Sequence, residues 1–246
     1  MIGITLTKKD LIKKYKNVKI FQILESDIKL YKNVKNKIII LHANYNINLA
    51  KKWTHESPHI NQIIYSINTA RKYLNCPYYI VHTGNSTLYS VKSSLKNLLT
   101  ALLYIASRTD IKILLETSAG QGTELLSNLY NYCNFLKLLT NNSNINIRSR
   151  FGACIDTQHL YSAGYCDYTE WVDIIKKNLG FKYVRLCHFN DSMVECGKKI
   201  DRHANIENGM IPNINKIYKF IKQLNIPIIL ETPDKWNDYI FIKNNY

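Results

Sequence analysis

Eight short apolar runs, separated by stretches of helical spacing or polar loop, constrain this chain more than any other feature. They fall at residues 1–6, 18–24, 37–45, 78–82, 111–116, 151–156, 182–188 and 226–231. Within them apolar residues are near-continuous rather than alternating, as in Ile38, Ile39, Ile40 and Leu41, the pattern of a strand covered on both faces. Segments between them carry helical spacing: 8–16, 58–74 (Ile60, Ile63, Ile64, Ile67, Ala70), 88–106, 123–139 with Thr123 as N-cap, 168–179 and 214–224. A polar linker occupies 141–146. Eight βα units predict an α/β chain folded as a closed (β/α)8 barrel, one domain over 1–246, with a doubly wound open sheet as the structural alternative.

A chain of 246 residues is long enough to bury one large core. Its 33 Lys and Arg against 18 Asp and Glu give a net charge of +15, which favours a polyanionic partner such as nucleic acid or an anionic membrane surface. The six cysteines form no C-x-x-C pair and read as reduced thiols in a reducing compartment. Lys8, Lys9 and Asp10 interrupt the N-terminus before a signal-peptide core can form, and no segment approaches the ~20 apolar residues of a membrane span. The expectation is a soluble intracellular protein with no membrane role, in the cytoplasm or, for a viral gene, the host nucleus.

Six successive runs end in a residue that can bind metal: His42, His82, Glu116, Asp156, His188 and Glu231. One such His is usually an ordinary hydrogen-bonded core residue. Six in phase, one βα unit apart, point into a single bowl on the C-terminal face of a barrel, where barrel enzymes keep their chemistry. Crowded carboxylates raise one another's pKa unless a cation neutralises them, so the set predicts bound metal. Mixed His and carboxylate donors suit zinc or manganese better than calcium or magnesium. His159, three residues after Asp156, and the pair Asp201 and His203 offer a further set. His55 and His59 flank a helix start and read as solvated.

Seven motifs then resemble one family. They are His42-Ala-Asn-Tyr-Asn-Ile-Asn-Leu, His82-Thr-Gly, Leu115-Glu116-Thr-Ser-Ala-Gly-Gln-Gly, Cys154-Ile-Asp156-Thr-Gln-His159-Leu-Tyr-Ser-Ala-Gly-Tyr, His188-Phe-Asn-Asp-Ser, Asp201-Arg-His203-Ala-Asn-Ile and Leu230-Glu231-Thr-Pro. Spanning residues 42–233, they resemble the endonuclease IV family of apurinic/apyrimidinic endonucleases.

The resemblance implies a TIM-type barrel holding three zinc ions, with manganese an option at one or more of them. By motif, His42, His82 and Glu116 hold the first; Glu116 bridges to a second with Asp156, His188 and Glu231; His159, Asp201 and His203 hold the third. Glu116, Glu231 and Arg202 are the expected catalytic residues. The implied substrate is double-stranded DNA with an abasic site, cut on its 5′ side to leave a 3′-hydroxyl and a 5′-deoxyribose phosphate, with cleaning of blocked 3′ ends besides. Tyr45, Asn48, Gln121 and Arg202 match DNA-contact positions, and the expected state is a monomer. Family members carry a Gly-rich loop after the first strand and a longer loop after the second. Here Leu6 runs directly into Thr7-Lys8-Lys9-Asp10, residues 25–36 are few, Thr83 stands where Pro is frequent, and Asn46 stands where an apolar wedge is common. The DNA-facing rim is thus trimmed. The competing reading is a divalent-metal sugar isomerase of the same barrel superfamily, against which stand the +15 charge and the third ligand set. A non-catalytic DNA-binding module is the third reading, disfavoured because every ligand type is retained.

Overall fold

In a computed structural model, which describes residues 1–7, 15–31, 34 and 36–246, the apolar runs become eight parallel barrel strands. They are β1 (Ile2–Thr5), β2 (Ile20–Leu24), β3 (Ile38–His42), β4 (Tyr78–Val81), β5 (Lys112–Glu116), β6 (Phe151–Asp156), β7 (Val184–His188) and β10 (Ile228–Leu230). Each pairs with its neighbour in the chain, and β1 pairs with both β2 and β10. That last pairing closes the ring and removes the open-sheet alternative. A two-stranded antiparallel ladder, β8 (Asp191–Ser192) with β9 (His203–Ala204), rises between β7 and β10.

Strand side chains alternate, so one residue in two faces the barrel axis. Ile20, Ile40, Ile80, Leu114, Cys154, Leu186 and Ile229 form one fully buried layer inside the barrel. The eighth strand contributes Gly3 to this layer. A Cβ there would lie 2.6 Å from Ile20 Cγ2 and 2.9 Å from Ile229 Cδ1, so only glycine fits between those two branched side chains. A second, larger core fills the space between the barrel and the helices around it.

The helices are α1 (Ile28–Tyr31), α2 (Pro58–Tyr73), α3 (Val91–Arg108), α4 (Leu129–Thr140), α5 (Ile145–Arg148), α6 (Thr157–Ala163), α7 (Tyr168–Asn178), α8 (Ile214–Gln223) and α9 (Lys235–Asn245). In α2, Pro58 sits in the first turn, and Ile60, Ile63, Ile67 and Ala70 bury one face. The helix expected over 123–139 begins later, with Asn128 and not Thr123 as its cap: Asn128 Oδ1 accepts the Asn131 amide. The preceding residues are held as a loop, because Glu124 Oε2 accepts from the Ser118 hydroxyl and from the Gly120 and Gln121 amides. The linker expected at 141–146 contains the start of α5, capped by Asn144. Neither α6 nor α9 is anticipated from helical spacing. Of the helix expected over 8–16, residues 8–14 lie outside the described residues. Among the described residues, no helix is long and apolar enough to cross a membrane.

The cysteines require a correction. Cys166 and Cys196 form a disulfide, with Cα atoms 5.5 Å apart. Thirty residues of sequence separate them, so no local pattern signals the pair. They meet because the turn after α6 and the loop between β8 and β9 share the C-terminal rim. The Gly197 amide donates to Tyr161 O and the Lys199 amide to Ser162 O, which seats this loop on α6. Cys76, Cys133, Cys154 and Cys187 are free and buried.

Two outcomes follow from this packing. Gly3→Val should destabilise the fold by roughly 1–3 kcal/mol through overpacking, read as a lower denaturant midpoint; an unchanged midpoint would contradict a filled barrel layer at Gly3. Thiol titration of the unfolded protein, prepared without reductant, should count four thiols and rise to six after reduction. Six before reduction would mean that Cys166 and Cys196 are not joined.

Candidate metal centre

Two residues beyond the apolar layer lies the next inward-facing position of every strand. From Ile40 this step reaches His42, from Ile80 His82, from Leu114 Glu116, from Cys154 Asp156, from Leu186 His188 and from Ile229 Glu231. The two-residue period of the strands thus stacks a layer of ionisable side chains on a layer of hydrocarbon. From Gly3 and Ile20 the same step reaches Thr5 and Gln22, the barrel's two uncharged members of the layer.

Glu116 sits at the centre. Its Oε2 lies 3.0 Å from His42 Nε2 and 3.2 Å from His82 Nε2, while Oε1 lies 2.8 Å from His188 Nδ1. His188 Nδ1 is also 3.1 Å from Glu231 Oε2 and 3.7 Å from Asp156 Oδ2. The carboxylate of Glu116 therefore faces two groups of ligand atoms, one through each oxygen.

A third group is assembled by α6. Asp156 caps this helix, its Oδ1 accepting the His159 amide at 2.9 Å, which turns His159 back over the bowl. His203 arrives on β9. Donor atoms of Asp156, His159 and His203 lie within 4.8 Å of one another, as do those of His42, His82 and Glu116, and those of Glu116, Asp156, His188 and Glu231. Asp201 flanks the third group, with oxygens 3.4 Å from His159 Nε2 and 3.2 Å from His203 Nε2. All nine ligand-type residues singled out in the sequence thus surround one bowl, Asp156 standing closer to the third group than the motifs suggest.

The electrostatics of the bowl are those of a cation site. Burial pushes the Glu116 carboxyl up, but the charges of His188 and His82 outweigh it and hold the group well below the usual carboxylate range. Glu231 is lowered against the same burial by His188. Burial pushes the His203 imidazole down, but Asp201, Asp156 and Glu231 carry it up to about 9, and His159 is raised against burial by Asp156, Asp201 and Glu116. Four carboxylates in so small a space are stable only beside positive charge, from imidazolium or from metal.

The donors fit metal. Buried ring nitrogens Nε2 of His159 and His203 make no hydrogen bond; Asp201 is near each, but off the angle a hydrogen bond needs. Three rings are aimed by backbone carbonyls: His42 Nδ1 meets Ala43 O at 2.8 Å, His159 Nδ1 meets Thr117 O at 2.7 Å, and His203 Nδ1 meets Glu231 O at 3.3 Å. A nitrogen so occupied leaves the opposite one for the bowl, as in metal sites generally.

Two positioning residues escape the sequence reading. Asn190 donates from Nδ2 to Asp156 Oδ2 at 2.8 Å and accepts the Glu231 amide at 2.9 Å, joining two ligands across strands. Gln22 bridges His188 and Glu231. The signal for Gln22 is its place two residues after Ile20; Asn190 has the weaker one of following His188 by the same step.

The bowl opens into a cavity of about 420 Å³, edged by Thr5, Thr7, Tyr45, Arg202 and Lys235. Tyr45 is 69% exposed, its ring 5.9 Å from that of His42 and 6.1 Å from that of His82. Arg202 is exposed beside it, with Nη1 donating to Asp201 O at 2.6 Å. Asn48 and Gln121 are engaged within the rim. Asn48 Oδ1 accepts the Ala50 and Asn85 amides and Nδ2 donates to Asn85 O; Gln121 Oε1 accepts the Asp201 amide. Of the other two histidines, exposed His55 stacks on Tyr104 at 4.6 Å and His59 is half-buried.

Residues 17–243 match the family described as Xylose isomerase-like TIM barrel. The protein named "Probable endonuclease 4" of Mycoplasmopsis synoviae is 38% identical over 208 residues, covering 82% of this chain and 72% of its own length. Its namesake in Mycoplasma genitalium is 32% identical over 214 residues, covering 85% and 71%. Among solved structures, endonuclease IV from Thermus thermophilus superposes with a TM-score of 0.74 at 21% identity over 98% of this chain and 97% of that one. A D-tagatose 3-epimerase-like protein gives the same TM-score at 19% identity over 99% and 94%. Identities this low speak for the barrel alone, and the closer sequence relatives decide between them: the chain belongs to the endonuclease IV family.

Proposed function

We propose that this protein is a zinc-dependent endonuclease acting on double-stranded DNA at abasic sites. It hydrolyses the phosphodiester 5′ to the lesion, leaves a 3′-hydroxyl and a 5′-deoxyribose phosphate, and clears blocked 3′ ends. It acts as a monomer in an intracellular compartment. The observation that carries this reading is the convergence of nine ligand-type side chains, Glu116 at their centre, on one bowl in a chain of the endonuclease IV family. A sugar isomerase can use the same barrel, which the epimerase-like neighbour shares, but a small sugar does not call for a +15 surface or a third ligand group.

In this reading His42, His82 and Glu116 hold one ion, Glu116 with Asp156, His188 and Glu231 a second, and His159, Asp201 and His203 a third. Manganese can replace zinc at one or more of them. Divalent metal held by these residues would lower the pKa of water to roughly 7 and would offset charge on a phosphoryl group. Glu116 faces both groups through its two oxygens, so it fixes their separation. Glu231 completes the second group with Asp156 and His188. Arg202, exposed at the mouth, offers its guanidinium to a phosphate oxygen.

An abasic nucleotide lacks stacking and pairing, so turning it out of the duplex costs little, and a narrow bowl excludes a nucleotide that still carries its base. Tyr45 stands where it can enter the gap left in the duplex. Asn48 and Gln121 have side chains committed to the rim, and contribute by holding the loops that carry Tyr45 and Asp201 in place. Lysines around the rim supply phosphate contacts and a steep salt dependence.

Cleavage of a duplex carrying one tetrahydrofuran abasic analogue tests the reading. The metal-replete protein should cut it. Glu116→Gln should lose more than ~100-fold in kcat/KM, since outer positioning partners alone are worth 10–100-fold. No scission, fewer than two metal ions per chain, or near-parent turnover in the variant would overturn it. Tyr45→Ala should weaken binding to the abasic duplex more than binding to intact duplex, measured side by side at one salt concentration. Equal losses would place Tyr45 outside the lesion contact.

A further inference from the structure

Gln22 is a buried amide, 1% exposed, in the middle of β2, a strand that supplies no ionisable side chain to the bowl. A buried amide without partners costs roughly 1–3 kcal/mol, so what it binds shows why it is there. Its Nε2 lies 2.5 Å from Glu231 Oε1 and 3.2 Å from Thr5 Oγ1; its Oε1 lies 2.8 Å from His188 Nε2.

These contacts determine one another. Glu231 Oε1 takes hydrogen bonds from both the Thr5 hydroxyl and Gln22 Nε2, so it is the acceptor in this contact. The NH2 of Gln22 must therefore face Glu231. Its carbonyl oxygen then faces His188, so the hydrogen between them belongs to His188 Nε2. That leaves Nδ1 of His188 as the nitrogen turned to the bowl, where it lies among Glu116, Asp156 and Glu231.

His188 is unusual among the histidines of the site. His42, His159 and His203 are aimed through Nδ1 by backbone carbonyls and present Nε2 to the bowl. His188 is reversed, presenting Nδ1, and the partner that aims it is a side chain reaching across from β2. It is therefore open to substitution without disturbing a main-chain hydrogen bond.

We propose that Gln22 is a positioning residue for the second metal group. It locks the ring orientation and tautomer of His188, and with Thr5 it fixes Glu231, so that both ligands are set before metal arrives. This rests on the metal reading above. It adds that β1 and β2, which hold no ligand, govern the affinity of one ion and not of the others.

The test is Zn²⁺ affinity, measured by competition with a chromophoric chelator on apo protein, beside cleavage of the abasic duplex. Gln22→Met keeps volume and burial but removes all three hydrogen bonds. It should weaken one metal equivalent 10–100-fold and leave the remaining equivalents at parent affinity. Its cleavage deficit should shrink as Zn²⁺ is raised. Gln22→Glu returns an acceptor oxygen to His188 Nε2 but sets a second carboxylate against Glu231, so it should not restore parent affinity. Parent-like affinity for every equivalent in Gln22→Met, a loss spread evenly over all equivalents, or full parent affinity in Gln22→Glu would each overturn the role of Gln22 while leaving the metal reading standing. A parent protein that takes up no Zn²⁺ would overturn both.

Discussion

Mutual repulsion among four buried carboxylates is the constraint on which the rest of this structure depends. Glu116, Asp156, Asp201 and Glu231 cannot all be ionised in one bowl without compensating positive charge, and burial makes the cost higher than in water. Five imidazoles stand among them, and the raised basicity of four shows how the protein meets the cost when protons supply the charge. Metal ions would replace those protons with charge better matched to the donors, each uptake releasing protons. Stability of the bowl and its loading are in this sense one equilibrium.

The barrel makes the crowding possible by supporting it from below. Isoleucines and leucines of the inner layer are fully buried, with Cys154 among them and with Gly3 where branched neighbours leave no room for a side chain. Each strand then needs to advance only two residues to place its next side chain in the bowl. This is a rigid way to set spacing between ligands, because strand register fixes it: Glu116 pairs with Cys154 and Asp156 with His188 in adjacent ladders. The one group not built on strand ends alone, that of His159 and His203, depends on α6 and on β9. There the Cys166–Cys196 bridge and the hydrogen bonds to Tyr161 and Ser162 do what strand register does elsewhere.

That division explains what was legible in the sequence. Strand ends were, since apolar runs and a two-residue period are local signals, and six ligand-type residues fell at the ends of six runs. The α6 helix was not: its start is set by Asp156 acting as a cap, and a run of Thr157-Gln158-His159 buried beneath the rim has no apolar stripe to reveal it. The late start of α4 reflects Glu124 folding back on its own loop, a contact that helical spacing does not record. The disulfide joins two loops that only closure of the barrel brings together. Gln22 was hidden by its neutrality, because a search for ionisable residues passes over an amide.

The fold by itself is silent on substrate, since an endonuclease IV and an epimerase-like protein superpose on it equally well. What separates a phosphodiesterase from an enzyme acting on a small sugar must therefore lie in the ligand set and the rim. In the sequence the segments after β1 and β2 lack the Gly-rich and longer loops that the family resemblance leads one to expect, and among the described loops Asn48 ties one to another and Gln121 ties a third to Asp201. A rim spending its amides on itself has fewer left for a duplex. In the proposed reading recognition would fall on exposed Tyr45, on Arg202 and on the general positive charge of the chain, a balance in which phosphate contacts grip and the shape of the bowl discriminates. Trimming the loops costs affinity that charge can restore. It would leave untouched the proposed selection by bowl size, which an abasic nucleotide passes and an intact one fails.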